Sequence, residues 1–131
     1  MMPRRNKQSE TELQILSAQW LALKLPRGFL AIHPANEGRR SWVEGKRQKA
    51  MGLTAGVSDW IIMGRSAHSA SFYATAEKPS VWCVELKSAK GRISPAQKAH
   101  HTNLNACGVP IAVCRSLEEI EAALKAWGIL T

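Results

Sequence analysis

The sequence is poor in cysteine, in acids and in long apolar runs, and each shortage excludes something. The three cysteines are Cys83, Cys107 and Cys114. An odd number with no C-x-x-C spacing forms neither a disulfide framework nor a zinc site. They are expected to be small buried hydrophobes in a reducing compartment. No apolar stretch approaches membrane-spanning length. The polar, basic stretch Met1 to Ser9 is not followed by the apolar core of a secretory signal. A soluble, cytoplasmic protein without membrane contacts is the expectation. Tyrosine and phenylalanine are scarce, one and two residues, whereas there are five tryptophans. Histidines His33, His68, His100 and His101 follow no HNH or zinc spacing and are expected at the surface.

Acids number ten against eighteen lysines and arginines, a net charge of +8. The excess is concentrated in residues 1–51: Arg4, Arg5, Lys7, Lys24, Arg27, Arg39, Arg40, Lys46, Arg47 and Lys49 face only Glu10, Glu12, Glu37 and Glu44. A basic half suits phosphate neutralisation, because each cation placed at a phosphate releases condensed counterions. An ordinary solvated surface is the competing explanation. At 131 residues with 45% hydrophobic content, the chain suits one compact domain over 9–131, preceded by a flexible basic arm over 1–8.

Ser9 begins a helix, with Ser9-x-x-Glu12 as a capping box and Leu13, Leu16, Trp20 and Leu23 on one face. Pro26-Arg27-Gly28 ends it. Phe29 to His33 forms a first strand, Pro34 to Ser41 a loop, and Trp42 to Met51 a short basic helix. Gly56 to Asp59 is a turn and Trp60 to Met63 a strand. Gly64 to Ser80 is a connection with room for an extra strand at 71–75. Val81 to Lys87 is the strongest strand in the chain. Ser94 caps a helix with Pro95 at its first position, running to about Ala106. Ile111 to Cys114 is the last strand. Ser116-x-x-Glu119 caps a final helix with the stripe Leu117, Ile120, Leu124 and Trp127. This order implies an α/β domain, a small mixed sheet flanked by helices.

Within Val84-Glu85-Leu86-Lys87, residues two apart share a face, so Glu85 and Lys87 lie together opposite Val84 and Leu86. A carboxylate and an ammonium are costly to bury in an apolar strand. They make sense at a strand end facing a cleft, where Glu85 holds a hard cation and Lys87 positions a water or stabilises negative charge. If strand 60–63 pairs with 81–87, Asp59 meets Glu85 at one end. Two converging carboxylates repel unless a cation lies between them. An exposed ion pair and a turn aspartate are the simpler alternative for the tripeptide alone. Gln97 likewise has a local role open to it, bonding back to the Ser94 N–H. Of the tryptophans, Trp42, beside Arg39 and Arg40, is the candidate for stacking on a base, with core packing as the favoured reading.

The combination of HPANEGRRS, a basic stretch, MGL, AGVSDW, a strand, ELK, a glycine turn and SPAQ resembles the VRR-NUC family of the PD-(D/E)XK nuclease superfamily, in its phage and bacterial stand-alone form. The likeness spans roughly Ser9 to Cys114. It implies a PD-(D/E)XK nuclease-like fold and a metal-dependent endonuclease acting on DNA. The family's first-helix acid falls on Glu10 or Glu12, ahead of Gln14. Glu10, four residues before Gln14 and on its helix face, is preferred. The family's aspartate falls on Asp59, its ExK pair on Glu85 and Lys87, and its helix glutamine on Gln97. Ser58 stands where the superfamily often has proline. The resemblance assigns Mg²⁺ or Mn²⁺ to Glu10, Asp59, Glu85 and the Leu86 carbonyl, and catalysis to Asp59, Glu85, Lys87 and Gln97. The basic segment itself offers Arg39, Arg40, Lys46, Arg47 and Lys49 as DNA-backbone contacts, each with an ordinary surface charge as the equal alternative. By analogy with dimeric junction resolvases, the resemblance implies a homodimer acting on branched DNA such as Holliday junctions. A nuclease for flaps, nicks or plain duplex is an alternative, as is a weakly catalytic or non-catalytic nucleic-acid-binding module of a phage replication or repair complex.

Overall fold

Ser9 starts helix α1, Glu10–Lys24, through a reciprocal cap: its Oγ accepts from the Glu12 N–H at 3.1 Å, and Glu12 Oε2 accepts from the Ser9 N–H at 3.3 Å. The computed structural model describes residues 9–34, 46–47, 50–52, 54–65 and 79–131. Most of the expected basic helix, the loop from 35 onward, the extra strand at 71–75 and the arm 1–8 lie outside these residues. The remaining elements are β1 (Phe29–Ile32), β2 (Trp60–Arg65), β3 (Pro79–Leu86), α2 (Pro95–Ala106), β4 (Ile111–Cys114) and α3 (Leu117–Ala126).

The sheet order is β1-β2-β3-β4. β1 and β2 pair antiparallel, as do β2 and β3, while β3 and β4 run parallel. A parallel pair needs a crossover, and α2 supplies it. The mixed sheet and its helices match the expected α/β class. β2 extends past Met63 to Arg65, and β3 stops at Leu86, one residue before Lys87.

The core gathers Leu13 and Leu21 of α1, Trp60 and Ile62 of β2, Trp82, Val84 and Leu86 of β3, and Ile120 and Leu124 of α3. Each fully buried aliphatic side chain contributes on the order of 1.5–3 kcal/mol. α1 corrects one expectation. Its buried row is Leu13, Ser17 and Leu21, spaced four apart, whereas Leu16 is 36% exposed and Leu23 83% exposed. Ser17 is tolerated there because its Oγ accepts from Trp60 Nε1–H at 2.8 Å and donates to the Gln14 carbonyl at 2.8 Å. The expected α3 stripe is inside, with Ile120 and Leu124 buried and Leu117 and Trp127 packed against them. Its cap is looser than expected: Ser116 Oγ accepts from the Glu119 N–H, but Glu119 turns to the N–H of Arg115.

β3 divides its residues between two faces. Trp82, Val84 and Leu86 enter the core; Cys83 and Glu85 point to the other side and are also buried. Farther along that second face, Leu30, Met63 and Val81 form a partly exposed apolar row across three strands. Cys83 and Cys114 are buried free thiols as expected, and burial raises both, Cys114 to about 12. Cys107 is exposed, contrary to expectation, because it caps the C-terminus of α2, a helix with no fully buried residue. Among the described residues no helix is long and apolar enough to cross a membrane.

Candidate active site

The β2–β3 register pairs Trp60 with Val84, so the next step outward sets Asp59 against Glu85. Asp59 Oδ2 accepts from the Leu86 N–H at 2.7 Å. Glu85 is only 1% exposed. Burial, then a hydrogen bond to Asp59 and its charge, push the Glu85 carboxyl up to about 9; Lys87 pulls it down and Glu10 pushes it further up. Without a cation, burial and the neighbouring Asp59 therefore favour the protonated form of Glu85. Its Oε1 has no hydrogen-bond partner.

Both acids line a cavity of about 860 Å³, whose wall also includes Glu10, Gln14, His33 and Gln97. α1 brings Glu10 and Gln14 there. The Trp60–Ser17 bond fixes that helix to β2 one residue beyond Asp59. Glu12 is instead spent on the helix cap, which separates the two candidate acids of α1.

The opposite wall is the start of α2. Ser94 Oγ accepts from the Gln97 N–H at 3.1 Å, and Gln97 Oε1 accepts from the Ser94 N–H at 2.9 Å. Gln97 thus fills the capping role and the cavity wall at once, and its NH₂ end is the part suited to a substrate. Gly56, at φ +74°, lies against the same turn: a Cβ there would stand 2.5 Å from the Ala96 carbonyl carbon. This close approach docks the loop carrying Ser58 and Asp59 on the helix that carries Gln97.

Lys87 is nearly buried, and its charge reaches Glu85, but it is not part of the cavity wall. Its N–H donates to the Cys114 carbonyl, extending the β3–β4 pairing by one bond. The turn that follows is clamped by Arg115, which donates through Nη1 to the carbonyls of Ser88 at 2.6 Å and Gly91 at 2.8 Å. Leu86 contributes backbone to the site while its side chain is core.

Two histidines expected at the surface belong to this site. His33 lines the cavity, with Nδ1 2.6 Å from the Asp59 carbonyl oxygen. A carbonyl only accepts, so Nδ1 carries the proton. His101 lies with Nε2 3.5 Å from Glu85 Oε1, its side chain only 14% exposed. Burial, with the charges of His100 and Lys87, lowers its pKa, so its ring is neutral at neutral pH. The spacing of His33 two residues from Phe29-x-Ala31 on an edge strand carried no signal. His101, four residues after Gln97 on the same helix face, carried one that could have been used. Ser58 is also buried, its Oγ with no partner better than the Cys83 thiol, a weak donor and acceptor.

Lys46 and Arg47 are exposed on a helical stretch. Arg39, Arg40, Trp42 and Lys49 lie outside the described residues. Among the described residues no three His, Cys, Asp or Glu side chains come close enough to enclose a metal. The site offers two touching carboxylates, one with an unpartnered buried oxygen, and a third acid across the cavity. That donor set fits a hard cation such as Mg²⁺, which takes one or two carboxylates and otherwise keeps water and phosphate oxygens.

The profile of the VRR-NUC domain family matches residues 2–118. A solved structure described as a VRR_NUC domain protein superposes with a TM-score of 0.67 at 19% identity, covering 96% of this chain and 95% of the other. That likeness concerns the fold. The search of curated proteins found no match.

Proposed function

The chain belongs to the VRR-NUC domain family, and we propose that within this nuclease-type family it acts as an Mg²⁺- or Mn²⁺-dependent DNA endonuclease. The observation that carries the proposal is the convergence of Asp59 and Glu85 in one cavity, with Glu85 buried and its Oε1 unpartnered. A protein that only bound DNA would gain nothing from directing paired carboxylates at a polyanion.

Asp59, Glu85 and the Leu86 carbonyl would hold the cation, with Glu10 reaching it or a second one from α1. Bound there, the metal would lower the pKa of a water and polarise a phosphoryl oxygen. Lys87 would orient the attacking water or take its proton. The Gln97 NH₂ would donate to the scissile phosphate. Lys46 and Arg47, with Arg39, Arg40 and Lys49, would neutralise flanking phosphates. Branched DNA is the proposed substrate and a homodimer the proposed form, since one domain carries one site and symmetric cutting of a four-way junction needs two.

The test is incubation of the protein with labelled four-way junction, flap and linear duplex, in Mg²⁺, Mn²⁺ or EDTA. Cleavage of the junction in metal and not in EDTA is expected. No cleavage of any substrate in either metal would reject the nuclease reading. Equal cutting of linear duplex would reject junction selectivity, and a monomer in light scattering would reject the dimer. Unchanged cutting by Asp59→Ala and Lys87→Ala would reject the site assignment.

A further inference from the structure

Two buried polar atoms at the site face each other with no hydrogen-bond partner: Glu85 Oε1 and His101 Nε2, 3.5 Å apart. Both side chains are enclosed, at 1% and 14% exposure. Buried polar groups are almost always paired, so two orphans in mutual reach call for an explanation. The separation is a few tenths of an ångström beyond an N–H···O bond. The helix bearing His101 is held in place by its Ser94–Gln97 cap and by the backbone of Gly56 packed on Ala96.

We propose that His101 is a positioning residue: its Nε2–H donates to Glu85 Oε1 and orients that carboxylate so that it can serve as a cation ligand. The inference rests on the metal-site reading above. A carboxylate that ligates a metal is itself ordinarily held by a hydrogen bond, and removing such an outer partner weakens metal binding about 10–100-fold. The alternative geometry, in which Nε2 offers its lone pair directly to the metal, needs the opposite tautomer.

Mn²⁺ binding separates these outcomes. Calorimetric titration at neutral pH would compare wild type with Glu85→Gln, His101→Ala, His101→Gln and His101→Asn. Gln can place an amide N–H near the position of Nε2, whereas Asn reaches only as far as Nδ1. Glu85→Gln is expected to lose binding. His101→Ala and His101→Asn are expected to bind about 10–100-fold more weakly, and His101→Gln to recover most of the affinity. Thermal melts in EDTA identify any variant that fails to fold, in which case the Gln–Asn contrast decides. If Glu85→Gln loses binding but all three His101 variants bind like wild type, the positioning role is wrong and the metal site stands. If Glu85→Gln binds like wild type, the metal-site reading falls and this inference falls with it. A nitrogen directly bonded to Mn²⁺ in pulsed EPR, lost in His101→Ala, would make His101 a ligand and overturn the proposal.

Discussion

The Leu86 N–H donates to Asp59 Oδ2 at 2.7 Å, tying the loop acid to the strand that carries Glu85. Asp59 is therefore both a member of the acid pair and a structural acceptor for a backbone group at the end of β3. Asp59→Ala leaves that N–H unpaired and should lower stability by about 1–3 kcal/mol. Asp59→Asn keeps an acceptor oxygen and should remain closer to wild type. Both should slow metal-dependent cleavage at least about a hundredfold, since metal stabilisation of the transition state is worth several kcal/mol. Urea unfolding and single-turnover cleavage separate the two effects.

The raised Glu85 carboxyl makes stability depend on pH in a defined direction. Its pKa in the folded protein is about 9, against an ordinary value of 4.5. Between these values the folded state keeps a proton that the unfolded chain has released, so unfolding loses free energy cost as pH rises. The contribution is fully present below the ordinary value and is lost as pH climbs to about 9. Metal-free protein should melt at falling temperature across this window. Millimolar Mg²⁺ should flatten the slope, and Glu85→Gln should remove it. Thermal melts over a pH series, in EDTA and in Mg²⁺, provide the check.

Gly56 and Gly28 give a matched pair. Both have positive φ, +74° and +90°, so an alanine at either is strained, by about 1–2 kcal/mol. A Cβ at Gly28 meets nothing within 4 Å, whereas one at Gly56 runs into the backbone of Ala96 and Gln97. Gly28→Ala should lose only that stability and cut DNA normally once folded. Gly56→Ala should lose more and also lose cleavage, because the Asp59 loop and α2 can no longer close. Denaturation midpoints alongside cleavage rates distinguish them.

Ser17→Ala should destabilise the protein by about 1–3 kcal/mol, the effect of leaving the buried Trp60 N–H without an acceptor. Ser17→Thr keeps the hydroxyl but adds a methyl to a fully buried position, so it should recover the hydrogen bond and still fall short of wild type. Equilibrium unfolding followed by tryptophan fluorescence measures both.

The acid pair was legible because a carboxylate stands out in an apolar strand, and β-pairing needed only two neighbouring strands to bring Asp59 to it. The caps at Ser9 and Ser94 were legible for a local reason, since each is closed within four residues. Apolar periodicity failed on α1, where it counted Leu16 and Leu23 and passed over Ser17, whose burial depends on a hydrogen bond 43 residues away. His101 was missed for a similar reason: its partner lies across the packing of α2 on the sheet, and α2 itself has no fully buried residue to mark its inner face. Lys87 shares a face with Glu85 only while the strand continues, and β3 ends at Leu86.

β3 alternates core and site residue by residue, with Val84 and Leu86 on one side and Glu85 on the other. A slip of one position would put the carboxylate on the side of Ile62, Ile120 and Leu124 and turn Trp82, Val84 and Leu86 away from the core. The strand thus has a built-in proofreading device. The carboxyl is buried in either register, but only the native one sets it beside Asp59 and the cavity, so assembly of the hydrophobic interior and alignment of the acids are a single event.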